Sequence, residues 1–268
     1  MKVAFIGGGN MATALLSGML DAGFNAADID VLEIDAVRRQ QLGDQHHVGA
    51  HAEAGAWLSS ASVIVLAVKP QQLHAAVDSI RSHIGQPLVL SIAAGVRAAT
   101  IAHWLGTDRI VRAMPNTPAL IRAGISGVAA LDAVSAEQKA AAEQILRAVG
   151  DVIWFDDEAM LDPVTAVSGS GPAYVFLFIE AMQQAARELG LGEHEARQLV
   201  IQTFAGAAQL AAESGEPVAT LRQRVTSKGG TTAAGLARLE DGHVRQAIVE
   251  AVRAANARAR ELGDELQS

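Results

Sequence analysis

A chain of 268 residues, half of them hydrophobic, can bury a substantial core as one large domain or two moderate ones. Its 21 Lys and Arg against 29 Asp and Glu give a formal net charge of −8 with no basic cluster, which argues against a nucleic-acid partner. Without a single cysteine, disulfide frameworks and thiolate chemistry are excluded, and the composition fits a reducing cytosol.

In chain order, the first predicted elements are short apolar strands bounded by Gly, Asp or Pro: Val3–Ile6, Ile29–Leu32, and residues 63–68, 88–92 and 109–113. Helical patterns fill the gaps, as over residues 11–20 and 71–84. Strand–helix alternation of this kind implies a parallel sheet wrapped by helices. Residues 128–131 and 152–155 read as further strands around a helix over 135–149, where Ser135 and Gln138 fit a capping box. After about Asp157 the strand signal stops, and residues 174–189, 193–214, 218–225, 231–239 and 243–262 read as helices. The stretch Val175-Phe176-Leu177-Phe178-Ile179 is apolar around the whole helix and requires cover on every side, which predicts a second subunit there, with cover by the first half of the chain as the alternative.

The opening residues lack the longer apolar stretch and small-residue cleavage site of a signal peptide. The most apolar later segment, residues 174–179, is far shorter than the ~20 residues that cross a bilayer. The expectation is a soluble, cytoplasmic protein with no membrane partner.

Chemistry enters at Gly7-Gly8-Gly9-Asn10-Met11-Ala12, between the first strand and the first helix. The string fits Gly-x-Gly-x-x-Ala, the small-residue form of the dinucleotide fingerprint. Gly7 permits the tight turn, Gly9 lets the backbone approach a pyrophosphate, and Ala12 packs helix on strand. The pyrophosphate then meets the N–H groups of a helix N-terminus around Asn10 and Met11. Glu33 ends the second strand where an acid would bond the adenine ribose of NAD. Arg38 and Arg39 stand ready to offset its charge against the extra phosphate of NADP. NADH and NADPH both stay open, with a lean to NADH, and a solvated strand-end carboxylate is the alternative for Glu33.

Further strings narrow the class: Ala67-Val68-Lys69-Pro70, Ser91-Ile92-Ala93-Ala94-Gly95, Met114-Pro115-Asn116-Thr117-Pro118, Val167-Ser168-Gly169-Ser170-Gly171-Pro172-Ala173-Tyr174 and Ser227-Lys228-Gly229-Gly230-Thr231-Thr232. In this order the chain resembles the pyrroline-5-carboxylate reductase family almost end to end. The resemblance implies an α/β fold with a Rossmann-type NAD(P)-binding domain over residues 1–157. An all-α dimerisation and substrate-binding domain would follow over 158–268, with dimers often assembling into decamers. It implies NAD(P)H-dependent reduction of 1-pyrroline-5-carboxylate to L-proline, the final step of proline biosynthesis. By matched position Val68, Lys69, Pro70 and Ala94 would line the cofactor, with Asn116 at its nicotinamide end. Ser227, Gly230, Thr231 and Thr232 would hold the substrate carboxylate, and Thr232 is the candidate to bond the ring nitrogen, a role that a water molecule could also fill. Where the family usually has proline, this chain has Lys228. Glu158 matches a position near the family's active site, with a surface carboxylate as the alternative.

Other patterns compete weakly. His47 and His51, four apart beside His46, could share a helix face, yet no acid or thiol set completes a metal site. Gly169-Ser170-Gly171 lacks the flanking glycine of a hydrolase elbow, and Lys228-Gly229-Gly230-Thr231 lacks the spacing of a phosphate loop. A β-hydroxyacid dehydrogenase would want a lysine on a second-domain helix, whereas Lys228 is the only lysine after Gly150. A non-catalytic NAD(P)-binding protein would not need the Ser227–Thr232 string at all.

Overall fold

The computed structural model describes residues 1–266. Eight strands form one sheet in the order β3-β2-β1-β4-β5-β6-β7-β8. They are β1 (Val3–Ile6), β2 (Ile29–Leu32), β3 (Gly49–His51), β4 (Val63–Leu66), β5 (Leu88–Ser91), β6 (Ile110–Met114), β7 (Gly124–Ala130) and β8 (Gly150–Trp154). The connecting helices are α1 (Asn10–Asp21), α2 (Ala36–His46), α3 (Pro70–Ile80), α4 (Ala98–Leu105) and α5 (Ala136–Arg147). Strands β1 to β6 all run parallel, which is the doubly wound arrangement.

Strand β1 reads as continuous hydrophobic sequence because both of its faces are covered. Val3 and Phe5 join Leu15, Leu16 and Met19 of α1 in one core, while Ala4 and Ile6 join Leu73, Val77 and Ile80 of α3 in the other. Each fully buried Leu or Ile contributes about 1.5–3 kcal/mol, so the two layers dominate the stability of this half. The capping box on α5 is present, with Ser135 and Gln138 exchanging bonds with each other's backbone N–H. A cap of this kind is worth about 1 kcal/mol.

Two features depart from the expected parallel sheet. Strand β7 runs antiparallel to β6, and β8 then runs parallel to β7. The link from β6 to β7 holds only a single 3-10 turn, Thr117–Ile121, too short for the crossover helix that a parallel neighbour requires. Strand β3, three half-buried residues at the edge, carries no hydrophobic signal and was not expected at all.

Beyond β8 come a short helix α6 (Leu161–Val164), a π-helical turn (Thr165–Gly169), and helices α7 (Gly171–Glu188), α8 (Glu193–Glu213), α9 (Val218–Arg224), α10 (Thr231–Asp241) and α11 (Val244–Glu265). The chain divides into two compact units, residues 171–254 and the remainder. The expected boundary at 157 therefore lies short of the packing boundary at 170. Two acids, Glu158 and Asp162, explain the shift by tying the intervening segment to the sheet unit through Arg112 and Arg97. The last turns of α11, from Ala255 on, also belong to the sheet unit. There Gly263 lies so close to the Arg97 guanidinium that an added Cβ would fall 2.8 Å from Nη2, and Leu262 and Leu266 flank Gly95.

The helical unit has almost no interior of its own. None of α7, α9 and α10 has a buried residue, and α8 buries only Ala196 and Val200. Phe176 and Leu177 are each 64% exposed. The helical run Glu158–Glu188, 31 residues containing an 18-residue window of mean hydropathy 1.2, is long and apolar enough to cross a membrane by length and composition. That exceeds the short segment noticed in the sequence. Two acids of this run are held in ion pairs with Arg112 and Arg97, which gives its first turns a polar, protein-bound anchorage.

Candidate active site

The glycine loop leaves β1 with Gly7 at φ +96, a conformation open to glycine at little cost. A Cβ there would also fall 2.7 Å from Cγ1 of Val68 and 3.0 Å from the carbonyl of Ala67. Gly8 is wedged between Leu42 and Glu33. Its N–H donates to Oε2 of Glu33 at 2.9 Å, and its carbonyl accepts from Nε of Arg38 at 2.5 Å. Nη2 of Arg38 continues to Oδ1 of Asn10 at 2.8 Å. A carboxylate and a guanidinium thus brace the two peptide groups that flank the Gly8 Cα. Glu33 is further fixed by the N–H of Asp35 at 2.9 Å. Arg39 is engaged elsewhere, donating to the carbonyls of Glu33 and Ile34.

Helix α1 begins at Gly9 with no side-chain cap, and its first closing bond comes from Thr13. The N–H groups of Asn10, Met11 and Ala12 are therefore unspent at the positive end of a twelve-residue helix. At Gly9 the nearest atom to an added Cβ is 3.8 Å away, which leaves room for a bulky anion to approach the backbone. The residues present fit a dinucleotide pyrophosphate.

The other expected cofactor residues lie along the same edge, at the carboxyl ends of neighbouring parallel strands. Val68, Lys69 and Pro70 follow β4, with Lys69 the uncapped N-cap of α3 and Pro70 its first residue. Ala94 follows β5 in the half-buried turn before Gly95, which takes φ +82. Strand order reverses between β1 and β4, and ligands bind at that crevice in such sheets.

Asn116 follows β6, with its carboxamide held from two sides. Oδ1 accepts from the N–H of Ile125 at 3.0 Å, and Nδ2 donates to Oγ of Ser168 at 3.2 Å. Ser168 sits on the π-helical turn, closed by the Ser170 N–H on the Thr165 carbonyl at 2.8 Å. Glu158 is partly buried: it accepts from the N–H of Ala98 at 2.7 Å and pairs with Arg112, a nearly buried guanidinium in mid-strand. Asp162 binds Arg97 through both oxygens at 3.0 and 2.8 Å, and this raises the guanidinium pKa further above its already high value. Arg97 and Asp162 did not stand out in the sequence, and Ser168 did so only as part of a motif, without a role. An arginine inside the apolar run Ile110–Met114 was a usable signal, because a buried charge demands a partner.

In the helical unit, Ser227, Lys228, Gly229 and Gly230 form the turn before α10. Gly230 is the N-cap and has no side-chain cap, and its N–H bonds back to the Ser227 carbonyl at 3.1 Å. Ser227 Oγ fills the space where a Cβ on Gly230 would stand. The N–H groups of Thr231, Thr232 and Ala233 stay unspent, and both threonine side chains are exposed in this first turn. Lys228 is exposed in the turn, off any helix.

The histidine reading needs correction. His47 is a left-handed cap ending α2, at φ 57, and His51 lies in β3. Instead of sharing a helix face with His47, His51 bonds Asp30 at 2.7 Å and stacks on Trp57 at 4.0 Å. The intervening Val48-Gly49 feeds an edge strand and so breaks the helical spacing.

A family model described as pyrroline-5-carboxylate reductase dimerisation matches residues 158–262. One described as NADP oxidoreductase, coenzyme F420-dependent, matches residues 2–95. The curated pyrroline-5-carboxylate reductase of Pseudomonas aeruginosa is 42% identical over 267 residues, covering 99% of this chain and 98% of that protein. The Arabidopsis thaliana reductase is 35% identical over 263 residues, covering 97% and 95%. Among solved structures, a pyrroline-5-carboxylate reductase from Coxiella burnetii superposes with TM-score 0.91 at 41% identity over 97% of this chain and 98% of that one. The Plasmodium falciparum pyrroline carboxylate reductase with NADP bound gives TM-score 0.88 at 28% identity, with 98% of each chain covered.

Proposed function

The chain belongs to the pyrroline-5-carboxylate reductase family, and from that footing we propose that it reduces 1-pyrroline-5-carboxylate to L-proline with NADH or NADPH. This would be the last step of proline biosynthesis, carried out in the cytoplasm. The observation that carries the reading is the pairing of two uncapped helix N-termini in one chain: α1 behind the glycine loop, and α10 behind Ser227–Gly230. The first suits a pyrophosphate and the second a small carboxylate.

Gly7 and Gly9 shape the turn, Asn10 and Met11 offer N–H donors, and Glu33 faces the ribose. Val68, Lys69, Pro70, Ala94 and Asn116 line the way to the nicotinamide end. When bound, the dihydronicotinamide supplies the hydride that reduces the imine carbon. Around Gly230, Thr231 and Thr232 hold the substrate carboxylate on backbone N–H groups, with the Ser227 hydroxyl beside them. Thr232 bonds the ring nitrogen, which is protonated in the iminium form and ends as a neutral amine. The protein's main contribution is orientation of two rings. Residues 158–268 supply self-association and substrate binding, although the first of them pack with the sheet unit. Self-association begins with a dimer, and further assembly to a decamer belongs to the same proposal.

The test follows loss of dihydronicotinamide absorbance on adding pyrroline-5-carboxylate, a β-ketoacid, or neither. Oxidation with the cyclic imine alone is the expected result. Oxidation with the β-ketoacid alone, or with neither substrate, would sink the proposal.

A further inference from the structure

Asn116 has a carboxamide whose orientation is fixed by chemistry. Its neighbour at Ile125 is a backbone N–H, a donor only, so the side-chain oxygen must face it at 3.0 Å. The nitrogen is then forced to the other side, where it meets Oγ of Ser168 at 3.2 Å. One N–H of the amide is spent on Ser168, and the second remains available as a donor of defined direction.

Ser168 owes its place to the π-helical turn. The Ser170-to-Thr165 bond spans five residues rather than four, which inserts one residue into the helical register. Each residue advances a helix by about 100°, so a regular helix through this stretch would turn residue 168 away from Asn116. The turn is also held rigidly. A Cβ at Gly169 would fall 2.6 Å from Cε of Met114, and the preceding acids Glu158 and Asp162 are tied to Arg112 and Arg97.

We infer that Ser168 is a positioning residue: it holds the Asn116 carboxamide so that the remaining N–H points to a carbonyl acceptor, the nicotinamide carboxamide oxygen of the cofactor. The inference rests on the reading above, in which Asn116 lies at the nicotinamide end. Ser168 acts only through Asn116 and donates nothing to the substrate.

The experiment is a double-mutant cycle on Asn116→Ala and Ser168→Ala. Its readouts are the dissociation constant of NADH measured by nicotinamide fluorescence and that of ADP-ribose, which lacks the nicotinamide. Losing one neutral hydrogen bond predicts NADH affinity about 3–10-fold weaker in Ser168→Ala, with ADP-ribose unchanged. Ser168→Thr, which restores the hydroxyl, recovers most of the loss. In the Asn116→Ala background, Ser168→Ala costs nothing further. The inference is overturned if the two losses multiply, if ADP-ribose weakens by the same factor, or if Ser168→Thr fails to recover. Because these measurements need no imine, they stand apart from the catalytic reading. Coupled losses without pyrroline turnover would overturn the proposed reaction and uphold the role of Ser168; turnover with multiplying losses would do the reverse.

Discussion

Removing the Asp162 carboxylate should loosen the sheet unit by a calculable amount. Asp162 is 5% exposed and grips Arg97, itself 18% exposed, through both oxygens. Breaking a buried pair on one side costs about 3–5 kcal/mol, because the surviving charge stays desolvated. Here Arg97 keeps some water and feels Glu158 and Asp264 nearby, so the lower end, about 3 kcal/mol, applies to Asp162→Ala. For a chain of this size each kcal/mol moves the midpoint by ~2–4 °C, which gives a fall of ~6–12 °C. Tryptophan emission reads this unit alone, since Trp57, Trp104 and Trp154 all lie within it. The paired replacement Arg97→Met with Asp162→Leu should restore most of the loss, as apolar isosteres of a buried pair are often neutral. A midpoint for Asp162→Ala within ~2 °C of wild type, less than about 1 kcal/mol, would refute the argument that this pair is desolvated.

Glu33→Ser should shift steady-state preference from NADH toward NADPH by relieving repulsion of the extra phosphate; an unchanged ratio would mean that Glu33 serves only to brace Gly8. Phe176→Asp places a charge on an apolar helix face that the single chain leaves open, so light scattering should show weakened self-association, and an unaltered oligomer would place that face outside the contact. Thr232→Ala should cut turnover by on the order of tenfold, about 1.4 kcal/mol, with NADH affinity untouched, and Thr232→Ser should recover part. Wild-type turnover of Thr232→Ala at saturating imine would assign the bond to the ring nitrogen to another group, such as water.

The parts of this protein that could be read from sequence are those set by local pattern. Val3–Ile6 followed by Gly7 and Gly9 encodes strand, turn and helix start within a dozen residues, and Ser135 with Gln138 encodes a helix start in four. What escaped reading depends on partners distant in sequence. Strand β3 is held by pairing with β2 and shows no hydrophobic run. The reversal at β7 follows from the length of one link. Ser168 meets Asn116 across 52 residues through a π turn that no residue pattern announces. The shared helix face open to His47 and His51 is not formed, because equal spacing says nothing about whether the backbone between them is helical. Val48-Gly49 carries the chain from helix to strand there.

The sheet unit is discontinuous along the chain, with the final turns of α11 laid on Arg97 and Gly95. This sets an order on biosynthesis. Chains emerge from the ribosome N-terminus first, and domains generally fold as they appear. Here residues 1–170 are complete long before residues 255–266 are made, with the whole of residues 171–254 translated in between. Throughout that interval the turn after β5 lacks Leu262 and Leu266, and the Arg97 guanidinium lacks the helix backbone that Gly263 brings against it. The nascent sheet must therefore persist in an unfinished form until residues 255–266 follow residues 171–254 out of the tunnel.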